Sequence, residues 1–442
     1  MEEWNHICKK GCSCGKAHTS SVDRIVVGSG VIRQLPQIIR EYRAEKAFVF
    51  SDKNTYQAAG SAVCKILRDS RIAFSSYSFE ESNLEPNEQN VGLAAMYLDN
   101  TCGIIIGIGS GVINDIGKIL SVISGKPYII VATAPSMDGY ASATSSMTRE
   151  GLKISLPSRS ADVIIGDTDI LRKAPLRLLQ AGLGDMLAKY VSICEWRISH
   201  LITGEYYCGE VAALIRSALK QCIGLMPDIL RRDEKAVGAV FEGLVVCGVA
   251  MNYTGLSRPA SGVEHYMSHV WDMRGAAFGT PTELHGIQCA VGTLIAVRLY
   301  EKVKKLTPDR EKALTYVKNF DLNAWNDKLW DFFGKGAQSM ILLEKKEQKY
   351  SAEKHRERLE IILKNWEKLL DIIAEELPSS REIEGFLDGI GAPKSMEDIG
   401  LNTGLLPMTF QTTKDIRDKY VLSRLAWDLG VLEELAGHTG EE

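Results

Sequence analysis

Three of the eight histidines of this chain are concentrated between positions 265 and 285. His265 and His269 are four residues apart, so a helix would place both on one face. His285 follows a loop rich in glycine and proline that can fold back towards that face. Together with Asp185, two imidazoles and a carboxylate would suit a divalent metal that keeps one position open. The spacing leaves another interpretation open, in which the histidines are ordinary core or surface residues and Asp185, near a helix start, caps that helix.

A glycine-rich sequence, Gly109-Ser110-Gly111, follows a short apolar run and precedes a predicted helix. Glycines allow backbone amides to approach a pyrophosphate closely, and the helix N-terminus adds partial positive charge. The sequence departs from the G-x-G-x-x-G pattern because Val112 occupies the last position. A simple tight turn is the alternative interpretation.

Asp52 follows the predicted strand Ala47–Ser51. A carboxylate at such a strand end can accept hydrogen bonds from an adenosine ribose, and it would repel a 2'-phosphate, which favours NAD over NADP. Asp52 lies before the glycine-rich sequence, whereas the standard dinucleotide-binding pattern has its acidic residue after it. The sequence therefore predicts a nucleotide-binding domain of a different arrangement.

Short apolar runs alternate with helix-like segments in the first part of the chain, and this alternation predicts a parallel sheet covered on both faces. The predicted strands are Asp23–Gly28, Ala47–Ser51, Ala73–Phe79, Gly103–Ile108, Tyr128–Ala132 and Asp162–Gly166. Long amphipathic segments dominate after Ala174. We therefore predict a cysteine-rich tail over residues 1–20, an α/β nucleotide-binding domain over 21–172 and an all-helical metal- and substrate-binding domain over 173–442.

The 442 residues carry a net charge of -4 at a sequence pI of 6.1, which argues against non-specific binding to nucleic acid or anionic membranes. The first residues have no apolar signal core, and no uninterrupted run of about 18 apolar residues occurs. These features predict a cytoplasmic protein without a membrane span.

Seven of the ten cysteines are scattered singly through apolar surroundings, where they are expected to be buried free thiols. The remaining three, Cys8, Cys12 and Cys14, precede His18 and could bind zinc. Their spacing differs from the common paired Cys-x2-Cys form, which favours a disordered tail. The charged segment Lys302–Leu377 predicts a solvated helical insertion, to which the sequence assigns no function.

Several longer sequences resemble the sn-glycerol-1-phosphate dehydrogenase family. They are Asp115 with Lys118, Thr133-Ala134-Pro135-Ser136-Met137-Asp138-Gly139, Gly184-Asp185, and Ser257-Arg258-Pro259-Ala260-Ser261-Gly262-Val263-Glu264-His265. That family belongs to the superfamily of iron-containing alcohol dehydrogenases, glycerol dehydrogenase and 3-dehydroquinate synthase. The resemblance covers roughly residues 20–300 and resumes near Phe386–Leu435, and it implies the dehydroquinate synthase-like fold.

The resemblance implies a role for each matching residue. Asp185, His265 and His285 correspond to metal ligands, whereas His269 corresponds to a histidine near the nicotinamide that is not a ligand and would relay a proton. The implied nucleotide contacts are Asp52, Gly109, Ser110, Gly111, Asp115, Thr133, Ser136 and Ser142, and Asp138 is expected beside the nicotinamide and the substrate.

Lys189 stands where some iron-type relatives have a fourth histidine ligand, which favours zinc or nickel over ferrous iron. We also place Lys189 among the predicted substrate contacts. Arg258 is the candidate for the substrate phosphate, because a guanidinium matches phosphate geometry. The alternative for Arg258 is a structural salt bridge or a helix cap.

The activity that the resemblance implies is reversible reduction of dihydroxyacetone phosphate to sn-glycerol-1-phosphate. It requires NAD(H), with NADP(H) as the alternative, and one zinc or nickel ion; a homo-oligomer is expected. A glycerol dehydrogenase or a dehydroquinate synthase-like enzyme on the same scaffold is the alternative, and a non-catalytic nucleotide or metal sensor is a further one. Loss of a metal ligand would favour the sensor, but all three ligands are present.

Overall fold

The computed structural model describes residues 11–81, 83–149, 152–280 and 282–437. The chain divides into two compact units. Unit 1 contains Met1–Met186 and Glu210–Leu256, and unit 2 contains Leu187–Gly209 and Ser257–Glu442. Cys8 lies outside the described residues.

Unit 1 is built on a six-stranded sheet in the order β1-β8-β5-β4-β2-β3, in which all pairs are parallel. A separate antiparallel hairpin is formed by β6 and β7. The strands are β1 (Arg24–Gly28), β2 (Lys46–Asp52), β3 (Ala73–Phe79), β4 (Ile104–Gly109), β5 (Tyr128–Ala132), β6 (Thr144–Arg149), β7 (Leu152–Pro157) and β8 (Val163–Asp167). The predicted parallel sheet is confirmed, because every predicted strand is present with ends that differ by at most one residue.

Burial explains why the apolar runs form this sheet. Every residue of β4, β5 and β8 is buried, so both faces of these central strands are covered. Such strands need continuous apolar sequence, as in Ile104-Ile105-Ile106. The α-helices of unit 1 are Leu35–Glu41, Lys53–Thr55, Ser61–Asp69, Glu88–Tyr97, Gly111–Ser124, Thr168–Leu171, Leu176–Leu187, Gly209–Leu225 and Glu234–Thr254.

The regular elements of unit 2 are all helices among its described residues, as expected for the second domain. The segment predicted as a charged insertion forms five of its helices. The α-helices of unit 2 are Lys189–Thr203, Val263–Phe278, His285–Val303, Arg310–Lys318, Leu322–Phe333, Ala337–Glu347, Ala352–Lys364, Trp366–Glu376, Ser380–Gly389, Leu406–Ile416, Leu422–Asp428 and Leu432–Gly437.

The division differs from the predicted boundary at residue 172, because the helix Glu234–Thr254 belongs to unit 1. Asn252 Nδ2 donates to the Ala141 carbonyl at 2.7 Å, and Thr168 Oγ1 donates to Glu234 at 2.9 Å. This helix is apolar enough to span a membrane, with a mean hydropathy of 1.6, but 78% of that window is buried inside the protein. It therefore has the character of a core helix.

The predicted disordered tail is wrong for residues 11–20. This segment has no helix or strand, yet Cys12 is only 8% exposed and His18 only 1% exposed. His18 Nδ1 lies 3.0 Å from the Tyr253 carbonyl oxygen, so unit 1 itself holds the segment.

Candidate metal and nucleotide site

Two helices of unit 2 bring His265 and His285 together. Ligand atoms of these two residues and of Cys289 lie within 4.8 Å of one another, and we call this group the histidine cluster. The two imidazole ring centroids are 5.0 Å apart. The helices can approach this closely because Gly292 has no side chain; a Cβ there would lie 2.7 Å from the Glu264 carbonyl oxygen.

Neighbouring side chains orient both imidazoles. Glu264 Oε1 lies 2.8 Å from His265 Nδ1, and the same oxygen accepts a hydrogen bond from Gly262 N at 2.7 Å. Ser268 Oγ lies 3.0 Å from His285 Nδ1 and donates to Gln288 Oε1 at 2.6 Å, so it can accept the imidazole proton. Each histidine is thereby favoured as the tautomer whose Nε2 carries a lone pair, which is the arrangement that metal-binding histidines require.

Cys289 belongs to the histidine cluster, although the sequence analysis treated it as an ordinary buried thiol. Its Sγ lies 3.6 Å from His285 Nε2. Burial raises the pKa of Cys289, but the nearby His265 and His285 more than offset this, and the net shift is downward. Cys289 follows His285 by four residues in one helix, and this spacing could have indicated the contact.

Asp185 lies in the last turn of the helix Leu176–Leu187 and is fully buried. The prediction that it lies near a helix start is therefore wrong, and so is the capping alternative. Its Oδ2 accepts a hydrogen bond from the backbone N of Asp138 at 2.9 Å. Gly182 allows this contact, since a Cβ there would lie 1.9 Å from the Pro135 carbonyl oxygen. Unit 1 thus brings together two predicted site residues that are far apart in sequence.

The glycine-rich sequence lies where β4 turns into the helix Gly111–Ser124. Gly109 ends the strand, and Ser110 is the N-cap residue without a side-chain cap hydrogen bond. A Cβ on Gly109 would lie 2.5 Å from Ile113 Cβ, so only glycine permits this tight turn. Thr133 N donates to the Gly109 carbonyl at 3.1 Å, which ties the end of β5 to the same turn. A turn of this kind at the start of a 14-residue helix fits an anionic pyrophosphate.

Asp52 ends β2, which lies beside β4 in the sheet with Ser51 opposite Ile108. Asp52 and Gly109 therefore lie at the same sheet edge, as a ribose contact and a pyrophosphate loop require. Asp52 also caps a short helix, because its Oδ1 accepts hydrogen bonds from Asn54 N at 2.8 Å and Thr55 N at 2.9 Å.

Asp115 and Ser142 are joined through Lys118. The buried Lys118 Nζ lies 2.9 Å from Asp115 Oδ1 and donates to Ser142 Oγ at 3.3 Å. These contacts hold the 139–144 segment against the helix that follows the glycine-rich turn. Thr133 and Ser136 are nearly buried on the preceding loop, at 7% and 8% exposure.

Arg258, the predicted contact of the substrate phosphate, forms a buried ion pair. Its guanidinium is buried and Nε lies 2.8 Å from both carboxylate oxygens of Glu205. Its other nitrogens donate to the Tyr420 carbonyl at 2.9 Å and to Ser199 Oγ at 3.0 Å. The alternative interpretation, a structural salt bridge, is the one that the structure shows. The fully buried Lys189 donates to the Ala260 carbonyl at 2.9 Å and so holds the segment that contains Arg258.

Glu195 is a supporting residue that sequence reasoning missed. It is buried in unit 2 and accepts hydrogen bonds from Val263 N at 2.9 Å and Leu422 N at 2.8 Å. Burial, and then the charge of Glu264, raises the pKa of Glu195. Because Val263 begins the helix that carries His265, Glu195 fixes the start of that helix. A glutamate in an amphipathic stretch offers no sequence signal for such a role.

The fold has the architecture of a known class of enzymes. Residues 26–175 match the model of the family described as iron-containing alcohol dehydrogenase. A crystal structure of glycerol dehydrogenase from Schizosaccharomyces pombe is similar at a TM-score of 0.61 and 17% identity, over 97% of this chain and 93% of that one. At this identity the similarity shows the fold alone.

Similarity to curated relatives identifies one family within this class of enzymes. The glycerol-1-phosphate dehydrogenase (NAD(P)+) of Halalkalibacterium halodurans is 28% identical over 95% of this chain and 97% of its own length. The enzyme of the same name from Bacillus velezensis is 32% identical over 66% of this chain and 77% of its own length. The enzyme of the same name from Methanothrix thermoacetophila is 33% identical over 63% of this chain and 77% of its own length. The chain belongs to the glycerol-1-phosphate dehydrogenase family.

Proposed function

We propose that this enzyme reversibly reduces dihydroxyacetone phosphate to sn-glycerol-1-phosphate, with NADH or NADPH and one divalent metal ion. Family membership supports the reaction. The observation that carries the metal assignment is the pair of oriented imidazoles, whose Nδ1 atoms face Glu264 and Ser268 and whose Nε2 atoms remain for a ligand. This donor chemistry fits a catalytic metal.

Asp185, His265 and His285, which the family resemblance matches to metal ligands, are the proposed metal ligands. A divalent ion held by them would supply Lewis acidity to the substrate oxygen, and the reduced nicotinamide would supply the hydride. Zinc or nickel is proposed rather than iron, because Lys189 replaces the fourth histidine of some iron-type relatives. The thiol of Cys289 in the histidine cluster supports a metal that tolerates sulfur.

The proposed nucleotide contacts lie on unit 1. Gly109, Ser110 and Gly111 present backbone amides to the pyrophosphate, and the helix that they open contributes its N-terminal partial charge. Asp52 accepts hydrogen bonds from the adenosine ribose, an arrangement that disfavours a 2'-phosphate. Thr133 and Ser136 are proposed beside the nicotinamide, on the loop that Thr133 N ties to the glycine-rich turn. Asp115 and Ser142 are also proposed as contacts of the bound nucleotide.

His269 is the proposed proton relay. It is half-buried and its ring stacks on that of His285, with centroids 5.8 Å apart and planes inclined by 20°. A neutral imidazole there can pass a proton between the site and water, because its ordinary pKa lies near neutrality. Asp138, whose backbone N is held by Asp185, is proposed beside the nicotinamide and the substrate.

We further propose that the enzyme acts in the cytoplasm and as a homo-oligomer, most simply a homodimer. The cytoplasmic location is supported by the composition, with a net charge of -4, and by the burial of the most apolar helix. The homo-oligomer is what the family resemblance implies.

The test follows the oxidation of NADH and NADPH by the metal-loaded enzyme with dihydroxyacetone phosphate, and determines the configuration of the product. Dihydroxyacetone without the phosphate serves as the matched control substrate. Rapid, metal-dependent turnover of the phosphorylated substrate to the sn-1 product is expected. Preference for the unphosphorylated ketone would instead identify a glycerol dehydrogenase, and a reaction without net NADH consumption would indicate a synthase.

A further inference from the structure

Three side chains near the N-terminus form a second group of soft metal-ligand atoms. The thiols of Cys12 and Cys14 and an imidazole nitrogen of His18 lie within 4.8 Å of one another. Cys14 Sγ is 3.3 Å from His18 Nε2. In tetrahedral zinc geometry, a sulfur and a nitrogen ligand of one ion are separated by roughly 3.5 Å. The observed pair is therefore close to the spacing that a shared zinc ion imposes.

The imidazole of His18 is oriented as in a metal ligand. Its Nδ1 lies 3.0 Å from the Tyr253 carbonyl oxygen, which can only accept a hydrogen bond. The proton is therefore on Nδ1, and Nε2 presents a lone pair towards Cys14. His18 is 1% exposed, so this orientation is fixed in a buried environment.

The segment between the two thiols is anchored on unit 1. Ser13 N and Oγ both donate to Glu210 Oε1, at 3.2 and 3.1 Å. These hydrogen bonds hold the backbone between Cys12 and Cys14, so both thiols stay beside His18.

We propose that Cys12, Cys14 and His18 of unit 1 bind a structural zinc ion that is separate from the catalytic metal. Two thiolates and one imidazole are the soft ligands that structural zinc sites use. The proposal shares no residue with the histidine cluster, so it does not depend on the proposed reaction.

The proposed ion also accounts for the burial of a segment that has no regular secondary structure. Residues 11–20 form no helix or strand and contribute few apolar side chains, yet Cys12 and His18 are buried. A metal that joins Cys12 and Cys14 to His18 would supply the stabilisation that a short, polar segment cannot obtain from apolar burial.

The experiment measures metal content and the thiolate spectrum of the full chain. Protein purified with zinc present is expected to hold one metal ion per chain that remains in His265→Ala and is lost in Cys14→Ser and in Cys12→Ser. Cobalt substitution is carried out in a Cys289→Ser background, so that the thiol of the histidine cluster cannot contribute. Strong thiolate-to-cobalt absorption of a tetrahedral ion is expected, and Cys14→Ser should abolish it.

Cys102→Ser, at a buried cysteine outside both clusters, is the matched control and should retain the ion and the spectrum. A single metal per chain that is lost in His265→Ala but retained in Cys14→Ser would overturn the proposal. A disulfide between Cys12 and Cys14, detected by alkylation and mass measurement, would overturn it as well. If the Cys12 and Cys14 variants do not fold, the cobalt spectrum of the Cys289→Ser protein still decides: absence of thiolate-to-cobalt absorption would overturn the proposal.

Discussion

The two candidate metal sites of this chain differ in the side chains that would bind the ion. The histidine cluster combines two imidazoles with one thiol, and its imidazoles are oriented by a carboxylate and a hydroxyl. The N-terminal group, Cys12, Cys14 and His18, has two thiols and one imidazole, and its imidazole is oriented by a backbone carbonyl. We call this second group the N-terminal cysteine cluster.

The difference follows from what each site must do. A catalytic ion has to keep a position open and exchange a substrate, which three protein ligands of nitrogen and oxygen type allow. Half-buried His285 and His269 leave the histidine cluster accessible, as this use requires. An ion that only stabilises the fold has no substrate to exchange, and thiolate ligands are typical of such structural zinc. The first site should therefore control activity, and the second should control stability.

The largest expected effect is the loss of activity when a catalytic ligand is removed. His265→Ala should lower kcat by about 10³-fold, because several kcal/mol of transition-state stabilisation depend on the metal. Turnover of dihydroxyacetone phosphate, measured at saturating NADH, is the readout. Thermal stability and the metal of the N-terminal cysteine cluster should be retained. Activity within a few-fold of the unmodified enzyme would exclude His265 as a ligand.

A smaller effect is expected from the residue that orients His265. Glu264→Gln keeps the shape of the side chain but removes the charge that supports the imidazole, and metal affinity should fall about 10- to 100-fold. Competition with a chelator, followed by residual activity, measures this change. Glu353→Gln, at an exposed position in another helix of unit 2, is the control and should leave the affinity unchanged. Equal affinities of both variants would show that Glu264 has no positioning role.

The N-terminal cysteine cluster should show the reverse pattern. Cys14→Ser should lower the Tm by several degrees, since about 1 kcal/mol of lost stability shifts Tm by a few degrees in a chain of this size. Its kcat, measured below the unfolding range with the catalytic metal saturated, should stay close to that of the unmodified enzyme. A loss of kcat as large as that of His265→Ala would remove the distinction between the two sites.

The smallest effect concerns Glu195, which supports the helix of His265. Its pKa is raised from the ordinary value of 4.5, so above pH 4.5 the folded chain retains a proton that the unfolded chain releases. Stability should therefore fall as pH rises from 4.5 towards the raised pKa, by at most about 1.4 kcal/mol per pH unit from this group. Glu195→Gln cannot titrate, and denaturant unfolding across this range should show a weaker pH dependence. An unchanged slope would contradict the raised pKa.

Much of unit 1 could be predicted from local sequence. The apolar runs of β4 and β5 are continuous because strands buried on both faces tolerate few polar side chains. The glycine-rich turn after β4 is also a local property, since close backbone packing at Gly109 excludes any side chain. The compact units differ from the predicted boundary at residue 172 because the helix Glu234–Thr254 belongs to unit 1 through contacts that its own sequence does not reveal.

The sequence by itself determined the types of side chain available: His265 and His285 with their neighbours Glu264 and Ser268, and the thiols and imidazole near the N-terminus. Only the tertiary structure decided their partners. It paired Arg258 with Glu205, and it placed the last turn of a helix, with Asp185, against Asp138. The physical reason is that helix and strand formation depend on neighbours along the chain, whereas ion pairs and metal sites depend on distances between segments that only packing brings together.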